Sequence, residues 1–224
     1  MATRARVLLA VLASVLLVAA MAGPVAAHDG SHPNDHIFQP GVTWNGYRIY
    51  LSPAHHWVGD KFGCDGYSEH TNMHALAHES AILGAGTFSS RGYKVRVGHG
   101  DPDDAVYRSN IWPADRHISL HSNAHGGSTG CGFSNGGTVV FYYPGSSVGS
   151  NLATNLKNAL DESSPGTNDY TATHTLYELA NTTAPAAYVE TEFHDWVTGK
   201  NWLVDYQGWA WRIGWAVDVH LDYP

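Results

Sequence analysis

The sequence predicts an α/β fold: a single three-layer domain with a mostly parallel central sheet flanked by helices. Three observations predict it. Short β-rich runs alternate with helical stretches along the chain, the pattern left by crossover connections between parallel strands. The 224 residues can fill one good core but not two comfortable ones. No internal repeat or low-complexity segment interrupts the alternation.

The N-terminus carries a different signal. Arg4 and Arg6 precede an apolar run that ends in small residues at Ala27, which reads as a secretory signal peptide over residues 1–27, cleaved before His28. The other reading retains the run as an anchor. No later stretch is long and apolar enough to span a bilayer. Residues 28–44 are polar, with His28, His32 and His36, and read as a flexible lead-in whose histidines are solvated rather than chelating. The folded domain then occupies residues 45–224.

Within it, "YRIYLS" is a short apolar strand. "SEHTNMHALAHESAILGAGTFSSRG" reads as a helix with Ser68 as N-cap and Gly92 as stop. "YKVRVG" is the next strand, "DDAVYRSNIW" a helix, and "HISLH" and "GTVVFYY" are strands. "GSNLATNLKNALDE" is helical because Leu152, Leu156 and Leu160 recur at helical spacing. "AAYVETEF" is a late strand and "YQGWAWRIGWAVDVHL" a closing helix.

Composition narrows the function. The formal charge is −8, and loss of Arg4 and Arg6 with the leader makes it −10, so general nucleic-acid binding is disfavoured. The two cysteines, Cys64 and Cys131, form a disulfide by default in an exported protein; the rival reading makes them zinc ligands. The 15 histidines raise the question of a metal.

Three strands run into ionisable residues at their ends: His55 and His56, then His121 with His125 beyond it, then Glu190 and Glu192. In open parallel sheets, sites gather outside the carboxyl ends of strands. Histidine and carboxylate are good zinc ligands, and a catalytic zinc keeps three protein ligands and one open position. Glu69, which begins the first long helix, can complete such a set. Period two places Glu190 and Glu192 on one face of their strand and does not choose between them. His70, His74 and His78 follow i, i+4, i+8 spacing, but no HExxH pattern adds a base, and they read as a solvated or partly packed stripe. No GxSxG elbow is present, and the glycine-rich "HGGSTGCGFSNGG" has no Walker lysine. Trp202, Trp209, Trp211 and Trp215 read as core packing rather than a sugar platform.

These residues together resemble the catalytic domain of the zinc-dependent N-acetylmuramoyl-L-alanine amidases, family 3. "LSPAHHW" stands for that family's "DPGHGG"-like turn, and Glu69 leads through a helix to "RGYKVRV". "ISLHSNA" stands for a "SIHANA"-like strand end, and "PAAYVETEF" for an "A-x-x-VETGF"-like strand. Order and spacing agree from about Tyr47 to the C-terminus. The resemblance implies zinc (Zn2+) bound by His55, Glu69 and His121, with Glu190 as the catalytic carboxylate. It implies peptidoglycan as substrate, cut between N-acetylmuramic acid and the L-alanine of the stem peptide, by a secreted protein acting at the cell wall; a monomer is the default expectation.

The chain also departs from that pattern. "SPAHHW" lacks the acid and both glycines of the usual turn, His56 takes a usually small position, and "VGHGD" stands where an arginine-containing segment is common. Glu192 replaces a small residue; it either lines the cleft or reaches solvent beyond the strand, and the second is preferred. A Cys64–Cys131 bridge would tie together the loops carrying the ligands. Two alternatives remain: a catalytically inactive wall- or metal-binding module, and a zinc peptidase acting within the stem, for which Arg108 or Arg116 would hold a terminal carboxylate.

Overall fold

A computed structural model describes residues 35–56, 59–82, 87–125 and 130–222; the leader expected over residues 1–27, with His28 and His32, lies outside them. The strands are β1 (His36–Phe38), β2 (Arg48–Pro53), β3 (Lys94–Val97), β4 (Arg116–Asn123), β5 (Val139–Tyr142), β6 (Tyr170–Thr173) and β7 (Ala186–Phe193). The helices are α1 (Glu69–Ile82), α2 (Pro102–Ile111), α3 (Ser147–Asp161), α4 (Tyr177–Asn181), α5 (Val197–Val204), α6 (Tyr206–Trp209) and α7 (Trp211–His220).

The seven strands form one sheet in the order β1-β3-β2-β4-β7-β5-β6. The pairs β3-β2, β2-β4, β4-β7 and β5-β6 are parallel, and β1-β3 and β5-β7 are antiparallel. Alternation along the strands gives the sheet two unlike faces. On one face Ile49, Leu51, Val95, Val97, Ile118, Leu120 and Val189 join the main hydrophobic core. There α1 adds Met73, Leu76, Ala77 and Ala81 at helical spacing, and α3 adds Leu152, Leu156 and Leu160. Trp209 stacks on Trp202 at 4.0 Å and is buried, so these two rings serve the core.

The other face is polar. Tyr50 stacks on His117 at 5.2 Å, and His117 Nε2 meets Glu178 Oε1 of α4 at 3.1 Å. The register places Ser119 beside Tyr188 and His121 beside Glu190 on this same face. The polar row therefore climbs toward the carboxyl ends of β4 and β7.

The regular elements differ from expectation where glycine and turn chemistry intervene. The first helix ends at Ile82. Gly92, at φ 85°, instead terminates a separate 3-10 turn at Ser89–Arg91. The closing helix is divided into α6 and α7. Residue 36, expected in the lead-in, begins β1, which pairs with β3 as His36↔Val97.

Candidate active site

The site is built at the carboxyl ends of β2, β4 and β7. Beyond β2, the Ala54 N–H still bonds Leu120 O at 2.8 Å, so the chain leaves the sheet fixed beside β4 and then presents His55 and His56. The start of α1 is capped twice: Ser68 Oγ accepts from the Thr71 N–H at 3.0 Å, and Asp60 accepts from the His70 N–H at 3.1 Å. This puts Glu69, the first residue of α1, over the tips of β2 and β4.

Glu69 is the centre of a three-donor group. His121 Nδ1 lies 3.0 Å from its Oε1, and His56 Nε2 lies 3.0 Å from its Oε2. The Ser122 N–H donates to Oε1 at 3.0 Å. Burial opposes the Glu69 charge, but the contacts with His121 and His56 outweigh it and hold the carboxyl well below the usual range. The ligand-type atoms of His56, Glu69 and His121 all lie within 4.8 Å of one another.

His55, the histidine expected in this group by motif, is placed elsewhere. Its Nδ1 meets Asp101 Oδ1 at 3.3 Å, its ring packs on His70 and His74, and it lines a neighbouring cavity of about 180 Å3. Consecutive residues in a turn point different ways, and here His56, not His55, is turned toward Glu69. In sequence both histidines stand at the end of their strand, and the family motif points to His55 rather than His56.

Glu190 completes the cleft. It sits opposite His121 in the β4-β7 register, and His121 stacks on Tyr188 at 4.4 Å. Burial, assisted by the nearby Glu69 charge and opposed by His121, pushes the Glu190 carboxyl up to about 7. Its Oε2 is buried without a hydrogen-bond partner, and so is His194 Nε2. Both residues line a cleft of about 340 Å3 that also contains His56, Glu69, His121 and Lys61. Each unpaired buried polar atom costs about 1–3 kcal/mol, so two in one cleft mark a place where a ligand takes up hydrogen bonds. His194 was not singled out from sequence, because its strand-end position looks like any other.

Glu192 neither lines the cleft nor reaches solvent, and both sequence readings of it are corrected. Between the pairs His121↔Glu190 and Asn123↔Phe193, β7 spends three residues against two on β4. This bulge breaks the period of two, so the two glutamates do not share a face. Glu192 is fully buried. Its Oε1 accepts from the Gly137 N–H at 2.7 Å and the Phe193 N–H at 2.8 Å. Its Oε2 accepts from Ser164 Oγ at 2.5 Å and the Gly166 N–H at 3.0 Å. A Cβ at Gly136 would collide with this carboxylate, which explains glycine there.

The cleft wall is covalently braced. Cys64 and Cys131 form a disulfide. Both loops are also pinned to the exit of β7, through Cys64 N–H to His194 O at 2.9 Å and Gly132 N–H to Asp195 O at 3.2 Å.

The histidine stripe of α1, expected to be solvated or partly packed, is half-buried and has other histidine rings against it. His70, His74 and His78 meet histidines from other elements, with ring centroids 5.1 Å apart for His55–His70, 4.9 Å for His74–His99 and 5.4 Å for His78–His99. Two further three-histidine groups result, His55/His70/His74 and His36/His78/His99.

Comparison with known proteins agrees with this architecture. The family model described as N-acetylmuramoyl-L-alanine amidase matches residues 49–214. No curated protein sequence matches the chain. Among solved structures, an N-acetylmuramoyl-L-alanine amidase from Clostridium difficile 630 superposes with TM-score 0.67 at 20% identity, covering 80% of this chain and 98% of its own. AmiC2 of Nostoc punctiforme gives TM-score 0.65 at 18% identity, covering 79% and 97%. The catalytic domain of CwlV from Bacillus (Paenibacillus) polymyxa var. colistinus gives 0.65 at 16%, covering 80% and 99%. At these identities the superpositions speak for the fold.

Proposed function

We propose, from the premise that this chain belongs to the N-acetylmuramoyl-L-alanine amidase family, that it is a zinc-dependent hydrolase. In this reading it cuts peptidoglycan between N-acetylmuramic acid and the L-alanine of the stem. The observation that carries the reading is the buried, unpartnered Glu190 Oε2 in the same cleft as a convergent His56–Glu69–His121 donor set. Two imidazoles and one carboxylate suit zinc and leave a fourth position open for chemistry. His56 takes the ligand position that the motif alone would give to His55.

Such an ion supplies Lewis acidity toward water and the scissile carbonyl. The chain supplies the rest. Glu190, held near neutrality by burial, takes the proton of the attacking water and passes it to the departing amine. Its unpartnered Oε2 is the atom available to do so. Tyr188, stacked flat on His121, fixes the plane of that imidazole. Ser122 holds Glu69 by its N–H and meets His194 Nδ1 through its hydroxyl at 3.0 Å, which leaves His194 Nε2 toward the cleft for a substrate oxygen.

The substrate lies outside the cytoplasm, which fits removal of a leader over residues 1–27 and a disulfide in the folded domain. Among the described residues no helix is long and apolar enough to cross a membrane. One observation favours a second reading, cleavage within the stem: Lys61 lines the cleft and could hold a terminal carboxylate. Arg108 and Arg116 do not serve that role, since Arg108 is bound to Asp104 at 2.7 Å and Arg116, at the start of β4, to His220 at 2.6 Å. Mass spectrometry of digested muropeptides separates the two. Amidase action releases intact stems with new L-alanine amino termini, is lost on chelation and returns with Zn2+. Shortened stems still joined to muramic acid would replace this reading with the peptidase one.

A further inference from the structure

Three histidines on the side of α1 away from the amidase donors are unused by that chemistry. His36 comes from the edge strand β1, His78 from α1 and His99 from the loop that follows β3. His78 Nε2 and His99 Nε2 face each other at 3.3 Å. Two nitrogens bound to one zinc-sized ion at about 2.0–2.1 Å in a tetrahedron lie roughly 3.3–3.4 Å apart. The His36 ring is 5.0 Å from that of His78 and 4.8 Å from that of His99. Donor atoms of all three fall within 4.8 Å of one another, and His36, the exposed member, can swing to close the set.

The strand that presents His36 is held firmly. Asp35, whose side chain is buried, accepts from Tyr50 OH at 3.0 Å, Arg96 Nε at 2.7 Å and the His99 N–H at 3.3 Å. One carboxylate thus anchors the residue before His36 and the backbone of His99 together. Behind them His74 carries a buried Nε2 with no partner, its ring tilted against that of His99 with centroids 4.9 Å apart.

We propose that His36, His78 and His99 form a second metal site, separate from the amidase centre, for an imidazole-preferring late first-row divalent ion of the Zn2+ class. Three imidazoles with no carboxylate favour Zn2+, Ni2+ or Cu2+ over Mg2+ or Ca2+. An ion there links β1, α1 and the loop after β3 at a single point. It therefore acts as a staple that secures the N-terminal edge of the sheet, and its binding free energy adds to that of folding.

The test uses the purified full chain, stripped by chelator and re-equilibrated with Zn2+, with bound ions counted by elemental analysis. The wild type is expected to hold one more ion per chain than His36→Ala/His78→Ala. The variant should cleave peptidoglycan within twofold of the wild-type rate and lose part of the Zn2+-induced rise in Tm. If the double variant does not fold, the exposed His36→Ala change alone must weaken Zn2+ binding at this site at least tenfold. Equal ion counts in wild type and folded variant, or unchanged affinity in His36→Ala, would show that the His78–His99 contact is only a hydrogen bond between neutral rings. The count reads independently of the amidase reaction, so an inactive protein that still loses one ion with the variant supports this site and sinks only the amidase reading.

Discussion

Glu190 and Glu192 stand two residues apart on one strand and live in opposite surroundings. Glu190 borders a cleft, keeps a buried oxygen without a partner and is pushed up to about 7 by burial. Glu192 is fully buried yet receives four hydrogen bonds, three of them from backbone N–H groups. The first is left wanting a partner and is open to a ligand in the cleft. The second is saturated and so can only hold structure. A single-residue bulge between them makes the difference, by turning one side chain to the cleft and the other to the loops at Gly137 and Gly166. An acidic pair in a strand is therefore not one functional unit.

Substitutions at the two positions should separate cleanly. Glu190→Gln keeps shape and removes the proposed base; on that proposal kcat on muropeptides falls by about 10²–10⁴-fold, with little change in Tm and in zinc uptake. Near-wild-type turnover in this variant would break the assignment. Glu192→Gln should do the reverse. Its amide turns an N–H toward donors it cannot satisfy, costing about 2–4 kcal/mol in denaturant unfolding, while the folded fraction retains kcat. A catalytic defect without a stability loss would return Glu192 to the cleft.

Glu178 offers an intermediate case that sharpens the contrast. Burial raises the cost of its charge, and hydrogen bonds with His117 and Ser52 outweigh that cost, so its carboxyl titrates below the usual range. A depressed folded-state value gives stability that is present above the unfolded value of about 4.3 and is lost as pH falls through the folded one. Glu178→Gln should therefore cost about 1–2 kcal/mol at pH 7, and the deficit should shrink as unfolding is measured at progressively more acid pH. A deficit that stays constant with pH would mean the charge contributes nothing.

Much of the fold is legible because hydrophobic period reports burial. Ile49 and Leu51, or Leu152, Leu156 and Leu160, announce their faces because each must reach the core. The edge strands β1 and β6 escape notice because "HIF" and "YTAT" are short and bury little, so no apolar pattern marks them. Within the site, Glu69, His121 and the Glu190/Glu192 pair draw attention because ionisable residues at strand tips and a helix start are costly without a purpose, but only the family motif chooses Glu190. The choice between His55 and His56 is not legible, since a turn has no period to say which neighbour points where. The same is true of Glu192: the bulge depends on pairing between β4 and β7, whose partners, such as His121 and Glu190, lie far apart along the chain and leave no local trace.

The sheet order carries a consequence for biogenesis. β7 lies between β4 and β5, so it is the only link between the β1-β3-β2-β4 half and the β5-β6 half among the described strands. It is also the last strand in sequence and the one that brings Glu190. A nascent chain lacking β7 holds two unjoined half-sheets and lacks Glu190. On the proposed reading, the catalytic cleft therefore cannot form until β7 has joined the two halves of the sheet.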